Sequence, residues 1–226
     1  MTIEQEVNNL YEKYPFPNDN IQSKNDVQIH KWILNSLPSK IPPGSDILDL
    51  GCGTGDMSIF LSDYGNVTGY DFSTNSLKIA KENVSRLGLA NVKFKKLDIT
   101  QESAGKFDYI FCIGVLHHIP QKEKALENIK KMMKKDSTLV ISVYSKWAVK
   151  LGKRKAKDGD TNQARFMDTF KHPYETFYGQ REFKRYLEQN GFKVLRTWRD
   201  MPDIVRFLTG RGEMMTYSAK LVGANL

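Results

Sequence analysis

The stretch Ile47-Leu48-Asp49-Leu50-Gly51-Cys52-Gly53-Thr54-Gly55-Asp56 runs an apolar strand into three glycines and then into a helical period. Glycine lets the backbone turn sharply and lets a ligand approach where a Cβ would stand, while the following helix presents its N-terminus. That geometry suits a nucleotide-like cofactor at the carboxyl edge of the first strand. A dinucleotide fold is the first competitor, but its Gly-x-Gly-x-x-Gly pattern needs glycine at position 56, where this chain has Asp56. A tight turn without a ligand is the plainer alternative, although a single turn rarely needs three glycines.

Two carboxylates lie downstream where an adenosine can use them. Asp71 ends the second apolar run, about twenty residues after the glycines, where an acidic side chain accepts hydrogen bonds from ribose hydroxyls. Asp98 ends the third run, within reach of an adenine amine beside Ile99. Each alone is more often a solvated turn residue; the spacing of all three elements together favours a site.

Short apolar runs alternate with helical periods from Asp46 onward, the pattern of a parallel sheet covered on both faces. Strands are expected at 46–50, 66–71, 92–97, 107–113, 138–144, 192–198 and 214–222. Helices are expected near 56–64, 74–87, 122–134 and 180–190, with Ser73 as an N-cap. Upstream, Ile3, Val7, Leu10, Tyr11 and Tyr14 form one helical stripe that Pro15 and Pro17 stop. A second helix is expected over 26–37, with Ile29, Trp32, Ile33 and Leu37 on its inner face. The reading is one α/β domain: a helical cap over 1–45, a cofactor-binding core over 46–145, a lid over 146–180 and the remainder of the sheet over 181–226.

The 226 residues carry 34 Lys and Arg against 26 Asp and Glu, a net +8, and 40% are hydrophobic, enough for a core and against disorder. The apolar runs are short and the N-terminus lacks a signal-peptide pattern, so a soluble, cytoplasmic protein without a membrane span is expected. Cys52 and Cys112 belong to no metal-ligand spacing, so no metal is expected. The positive excess favours anionic partners such as nucleic acid or phosphorylated metabolites without selecting one.

On these motifs the chain resembles the Rossmann-like, class I S-adenosylmethionine-dependent methyltransferases. The resemblance covers roughly 46–145 and adds Phe107-Asp108-Tyr-Ile-Phe-Cys112-Ile113-Gly-Val-Leu-His117-His118-Ile to the segments above. It implies a seven-stranded, mostly parallel sheet with an antiparallel last strand. It also implies S-adenosylmethionine as cofactor and S-adenosylhomocysteine as product. Carried over, Asp49, Gly51, Gly53 and Gly55 hold the methionine part, Asp71 and Phe72 the ribose, Asp98 and Ile99 the adenine, and Cys112 and Ile113 line the sulfonium. Tyr11-Glu-Lys-Tyr14-Pro-Phe-Pro is similar to a segment that closes over the cofactor in some small-molecule members. Two core tyrosines under a proline stop explain it as well.

Methyl transfer is an in-line displacement, so alignment and exclusion of water carry most of the work. A hydroxyl or ammonium acceptor must also lose a proton, and histidine titrates in the right range. His117 or His118, after the fourth strand, is the candidate base; a packing role for the pair is the alternative. Phe170, His172, Tyr174 and Tyr178 combine rings with polar groups and are candidate acceptor contacts, or an ordinary structural lid. The six Lys and Arg between Lys146 and Lys157 serve an anionic acceptor or an RNA backbone, or form a solvated loop.

Missing chemistry argues against several subclasses. No Asn/Asp-Pro-Pro-aromatic segment follows the fourth strand, no cysteine follows a proline as a cytosine-attacking nucleophile, and the fourth-strand end offers no carboxylate cluster for a divalent metal. What remains is metal-independent methylation of oxygen or nitrogen on a small molecule, anionic or aromatic. RNA or protein methylation and a catalytically silent cofactor-binding module are the alternatives.

Overall fold

A computed structural model describes residues 1–17, 20–146, 173–199 and 214–222. Seven strands form one sheet: β1 Ser45–Leu50, β2 Gly65–Asp71, β3 Val92–Lys96, β4 Phe107–Ile113, β5 Met133–Tyr144, β6 Phe192–Arg199 and β7 Met214–Leu221. Their order is β3-β2-β1-β4-β5-β7-β6, with β7 antiparallel to both β5 and β6 and the other pairings parallel. The chain reverses direction of sheet growth between β1 and β4, and the crevice outside the carboxyl ends of those two strands is where open α/β sheets bind ligands.

Alternation along the strands feeds two cores. Leu48, Leu50, Ile110 and Cys112 face α4 (Lys122–Met132) and α5 (Gln180–Gln189), where Leu126, Ile129, Phe183 and Leu187 are fully buried. Ile47, Val67, Tyr109 and Phe111 face α2 (Asp56–Leu61), α3 (Thr74–Arg86) and the cap, where Phe60, Leu61 and Ile33 are buried. Each such side chain contributes about 1.5–3 kcal/mol by leaving water. Ser73 caps α3 as expected, its side chain accepting from Ser76 N.

The largest boundary difference from the sequence reading lies between α4 and β5. Helix α4 stops at Met132 and β5 begins at Met133, five residues before the expected start. Met133 pairs with Phe107, and Ser137 holds the irregular stretch by donating to the Phe107 carbonyl and accepting from Lys134 N.

The cap corrects a second expectation. Helix α1 (Ile3–Lys13) forms with a Thr2/Gln5 capping box. The next segment, Lys24–Ser36, winds as a 3-10 helix instead of an α-helix. Three residues per turn align Val27, His30, Ile33 and Ser36 on one face. Val27, Ile33 and Ser36 are buried, and Ile29, expected inside, is 75% exposed. Trp32 stacks on Trp198 of β6 at 5.3 Å between ring centroids, and Arg196 donates to the carbonyls of Asn35 and Leu37, so the cap is tied to the sheet edge.

Candidate functional site

A cavity of about 390 Å³ opens at the carboxyl ends of β1, β2 and β4, under the cap. Its wall includes Tyr11, Asp49, Gly51, Gly53, Asp71, Phe72, Asp98, Ile99 and Ile113, so nine of the expected cofactor residues meet at one place.

The glycine loop is held by backbone and carboxylate together. Gly51 N and Cys52 N donate to the Tyr70 carbonyl at 2.7 and 3.0 Å, and Gly53 N donates to Asp71 Oδ2 at 2.8 Å. Asp71 Oδ1 accepts from Ser73 N at 2.9 Å, which leaves the carboxylate fixed in orientation while it borders the cavity. Burial pushes its carboxyl above the usual range, and the two backbone donors pull it back. Gly53 takes φ +51°, and a Cβ there would stand 2.1 Å from the Phe16 carbonyl oxygen. Gly55 is off the cavity: it caps α2 in the left-handed region and lies against Ala80 and Phe94.

Asp49 accepts a 2.5 Å hydrogen bond from Ser58 Oγ on α2. Its carboxyl is pushed up to about 7, first by burial and further by the neighbouring Asp56, against the lowering effect of Ser58 and His30. Asp98 is oriented by its own turn, Oδ1 accepting from Thr100 N at 2.9 Å and Thr100 Oγ1 at 2.7 Å. Asn128 donates to the Ile99 carbonyl at 2.7 Å and fixes the same turn from below.

Helix α1 closes the cavity from above. Thr54 N donates to the Phe16 carbonyl at 3.1 Å, Asn75 Nδ2 to the Glu12 carbonyl at 2.8 Å, and Gln121 Nε2 to Glu4 Oε1 at 3.1 Å. Tyr11 lies edge-on to Phe72 at 6.1 Å and to His118 at 6.0 Å, so one phenol bridges the two rings. Tyr14 does not reach the cavity; it ends α1 at 46% exposure with Lys13 over its ring.

The two histidines separate. His118 borders the cavity, and its Nδ1 lies 3.4 Å from the Tyr174 carbonyl. A carbonyl oxygen only accepts, so Nδ1 carries the hydrogen and Nε2 is the basic nitrogen of the neutral ring. His117 is fully buried behind it, 4.1 Å from the His118 ring and 3.8 Å from that of Tyr144, and is not part of the wall. Cys112 is likewise absent from the wall: successive residues of β4 point to opposite faces, so Ile113 reaches the cavity and Cys112 enters the core, its thiol pushed up to about 12 by burial.

Of the expected acceptor contacts, Phe170 and His172 lie outside the described residues. Tyr174 and Tyr178 are off the cavity. Lys122 Nζ donates to Tyr174 Oη at 2.8 Å and to Thr176 Oγ1 at 3.1 Å, while Tyr178 packs on Phe183. Residues without a role in the sequence reading complete the wall: Tyr144 at the end of β5, Met214 opposite it on β7, and Trp32 and His30 from the cap. His30 Nε2 lies 2.8 Å from Asp56 Oδ2. A period of three along 27–36 is the signal that points His30 inward.

The donor set fits an adenosine-bearing cofactor: an oriented buried carboxylate, a second oriented carboxylate beside Leu97 and Ile99, and an aromatic ring at Phe72. Residues 41–191 match the family model described as a methyltransferase domain. The chain belongs to that family, the class I S-adenosylmethionine-dependent methyltransferases. It is 33% identical over 110 residues to a ubiquinone biosynthesis O-methyltransferase of Haemophilus ducreyi, covering 46% of this chain and 47% of that one. It is 30% identical over 144 residues to a demethylmenaquinone methyltransferase of Listeria monocytogenes, covering 59% and 60%. The match thus spans about half the length of these curated relatives. In fold it is similar to magnesium protoporphyrin IX methyltransferase of Synechocystis, with a TM-score of 0.66 at 18% identity over 98% of both chains. Among the described residues, no helix is long and apolar enough to cross a membrane.

Proposed function

We propose that the protein methylates oxygen or nitrogen of a small molecule, without a metal in the step. The observation that carries this reading is that one cavity is bordered both by the carboxylates Asp71 and Asp98 and by Ile119, Pro120, Tyr144, Met214 and His118. Such apolar walls with a few convergent polar groups are the usual make-up of a small-ligand site. Relatives named as a ubiquinone biosynthesis O-methyltransferase and a demethylmenaquinone methyltransferase support the small-molecule part of it.

Asp71 and Phe72 hold the ribose, Asp98 and Ile99 the adenine, and Asp49 with Gly51 and Gly53 the methionine part. The bound cofactor supplies an electrophilic methyl on a sulfonium. The cap residues Val7, Tyr11 and Phe16 exclude water from the cavity. His118 takes the acceptor proton on Nε2, with Nδ1 turned to the Tyr174 carbonyl.

Incubation with S-adenosylmethionine labelled in its methyl group tests this reading, against a panel of phenols, amines and carboxylic acids alongside RNA and protein. Label on a panel compound is the expected result. Label on RNA or protein alone overturns the small-molecule reading, and label nowhere favours a silent binding module.

A further inference from the structure

Helix α1 turns to the cavity a stripe that packing alone does not explain. Glu4, Val7, Asn8 and Tyr11, at helical spacings of three and four, all border the cavity. Val7 is the buried residue of the helix, while Ile3, expected on the inner stripe, is 48% exposed. A helix that merely covers a cavity turns its apolar residues inward and its carboxylates to water. Here the apolar neighbour is left outside and Glu4 is turned in.

Glu4 is also the wall carboxylate left without a task. Asp49, Asp71 and Asp98 belong to the cofactor assignment, and Asp56 lies 2.8 Å from His30 Nε2. The rise of an α-helix puts Glu4 about 10 Å from Tyr11 along the axis. Tyr11 meets Phe72 at 6.1 Å, whereas Glu4 Oε1 accepts from Gln121 Nε2 at 3.1 Å, directly after the wall residues Ile119 and Pro120. The Gln121 bond holds the Glu4 carboxyl below the usual carboxylate range, so it is ionised at neutral pH. Tyr11 and Tyr144 border the same cavity, and aromatic faces attract cations.

We propose that the methyl acceptor carries a protonated amine and that Glu4 receives it, which makes this residue the determinant of acceptor class. The inference rests on the small-molecule reading above. A ligand that fills the cavity beside Ile119 and Pro120 strips water from Glu4, and an ionised carboxylate that loses water without a cation or donors opposite it is strongly disfavoured. Gln121 supplies one neutral donor. An ammonium supplies charge and further donors, in the stronger, charge-assisted kind of hydrogen bond. An acceptor carboxylate or phosphate in the same place is repelled. Glu4 binds the ammonium and takes no proton from it.

The competing role is mechanical: Glu4 fastens α1 to Gln121. Glu4→Gln separates the two roles, because the amide oxygen still accepts from Gln121 Nε2 while the charge is gone; Gln121→Ala breaks the fastener while the charge stays. The experiment gives the wild-type full chain and both variants methyl-labelled S-adenosylmethionine and a panel in which each aromatic ring carries an aminoethyl, a hydroxyethyl or a carboxymethyl chain. The expected result is a kcat/KM for the aminoethyl members about tenfold or more above the other two, lost in Glu4→Gln mainly through KM and kept in Gln121→Ala. Calorimetric affinity for S-adenosylhomocysteine near that of wild type reports that each variant is folded. Parallel losses across all three kinds of member in both variants show a fastener and overturn the proposal, as does an amine preference that survives in Glu4→Gln. Wild-type labelling of the hydroxyethyl or carboxymethyl members as fast as the aminoethyl ones also overturns it while leaving the small-molecule reading standing. Absence of label from every member removes that reading itself.

Discussion

Asp71 holds Gly53 by a 2.8 Å hydrogen bond from the glycine N–H to Oδ2, so the carboxylate expected to bind a ribose also sets the shape of the loop expected to bind the methionine part. With Oδ1 occupied by Ser73 N, the side chain has both oxygens anchored and still borders the cavity. Removing it acts on ligand and loop at once.

Asp71→Ala is therefore expected to weaken S-adenosylhomocysteine binding by roughly 10- to 100-fold, from about 1–3 kcal/mol of lost hydrogen bonding to buried donors. The same substitution lowers the thermal midpoint, because Gly53 N and Ser73 N lose their acceptor. Calorimetry and a melting curve check the two parts; an unchanged dissociation constant removes Asp71 from the ribose site.

Gly53→Ala is expected to destabilise the protein by more than about 1 kcal/mol, since it combines a positive φ with a Cβ 2.1 Å from the Phe16 carbonyl oxygen. Relief requires Phe16 to move, which also breaks the Thr54 N bond to that carbonyl. Denaturant unfolding measures the loss. A variant as stable as wild type shows that Phe16 does not press on the loop.

Asp49 makes the stability of the fold pH-dependent. Its carboxyl lies at about 7 in the folded chain against an ordinary 3.8, so between those values the folded state binds more protons than the unfolded one. Its contribution to stability accordingly falls as pH rises from about 4 to about 7 and is level above that. A ligand ammonium beside Asp49 favours the carboxylate, so cofactor binding releases a proton near neutral pH and tightens from pH 6 to 8. Titrations in buffers of different ionisation enthalpy count that proton. In Ser58→Ala, which removes the bond that lowers Asp49, the release shifts to higher pH. Zero proton release at pH 7 contradicts this role.

The two adjacent histidines are expected to fail differently. His118→Ala should reduce turnover by about 10²–10⁴-fold with cofactor affinity close to wild type, the range for losing a general base. His117→Ala should cost stability instead, because its fully buried ring packs between those of His118 and Tyr144. Single-turnover rates and melting curves on both variants decide the matter. Normal turnover in His118→Ala places the proton acceptor elsewhere.

The glycine strand-turn, Asp71, Asp98 and the alternation of short apolar runs with helical periods were legible because each is a local pattern with a local cause. Glycine is needed where φ is positive, carboxylates follow strand ends, and apolar spacing reports which face meets the core. Period alone misjudged the cap: reading 26–37 at 3.6 residues per turn put Ile29 inside, whereas three per turn puts His30 there. The His117–His118 pair was visible, but which ring borders the cavity depends on the 3-10 turn at Leu116–His118 and on Tyr144 from β5.

By itself, then, the sequence determined the sheet, the glycine loop and the carboxylates at the strand ends, since these follow from backbone conformation and strand alternation within short windows. Tertiary structure decided what arrives from a distance. His30, Trp32, Tyr144 and Met214 reach one cavity from the cap, β5 and β7, and their separations along the chain carry no period to read. The physical reason is that a cavity wall is set by how whole elements pack, and packing between elements far apart in sequence is a property of the assembled core.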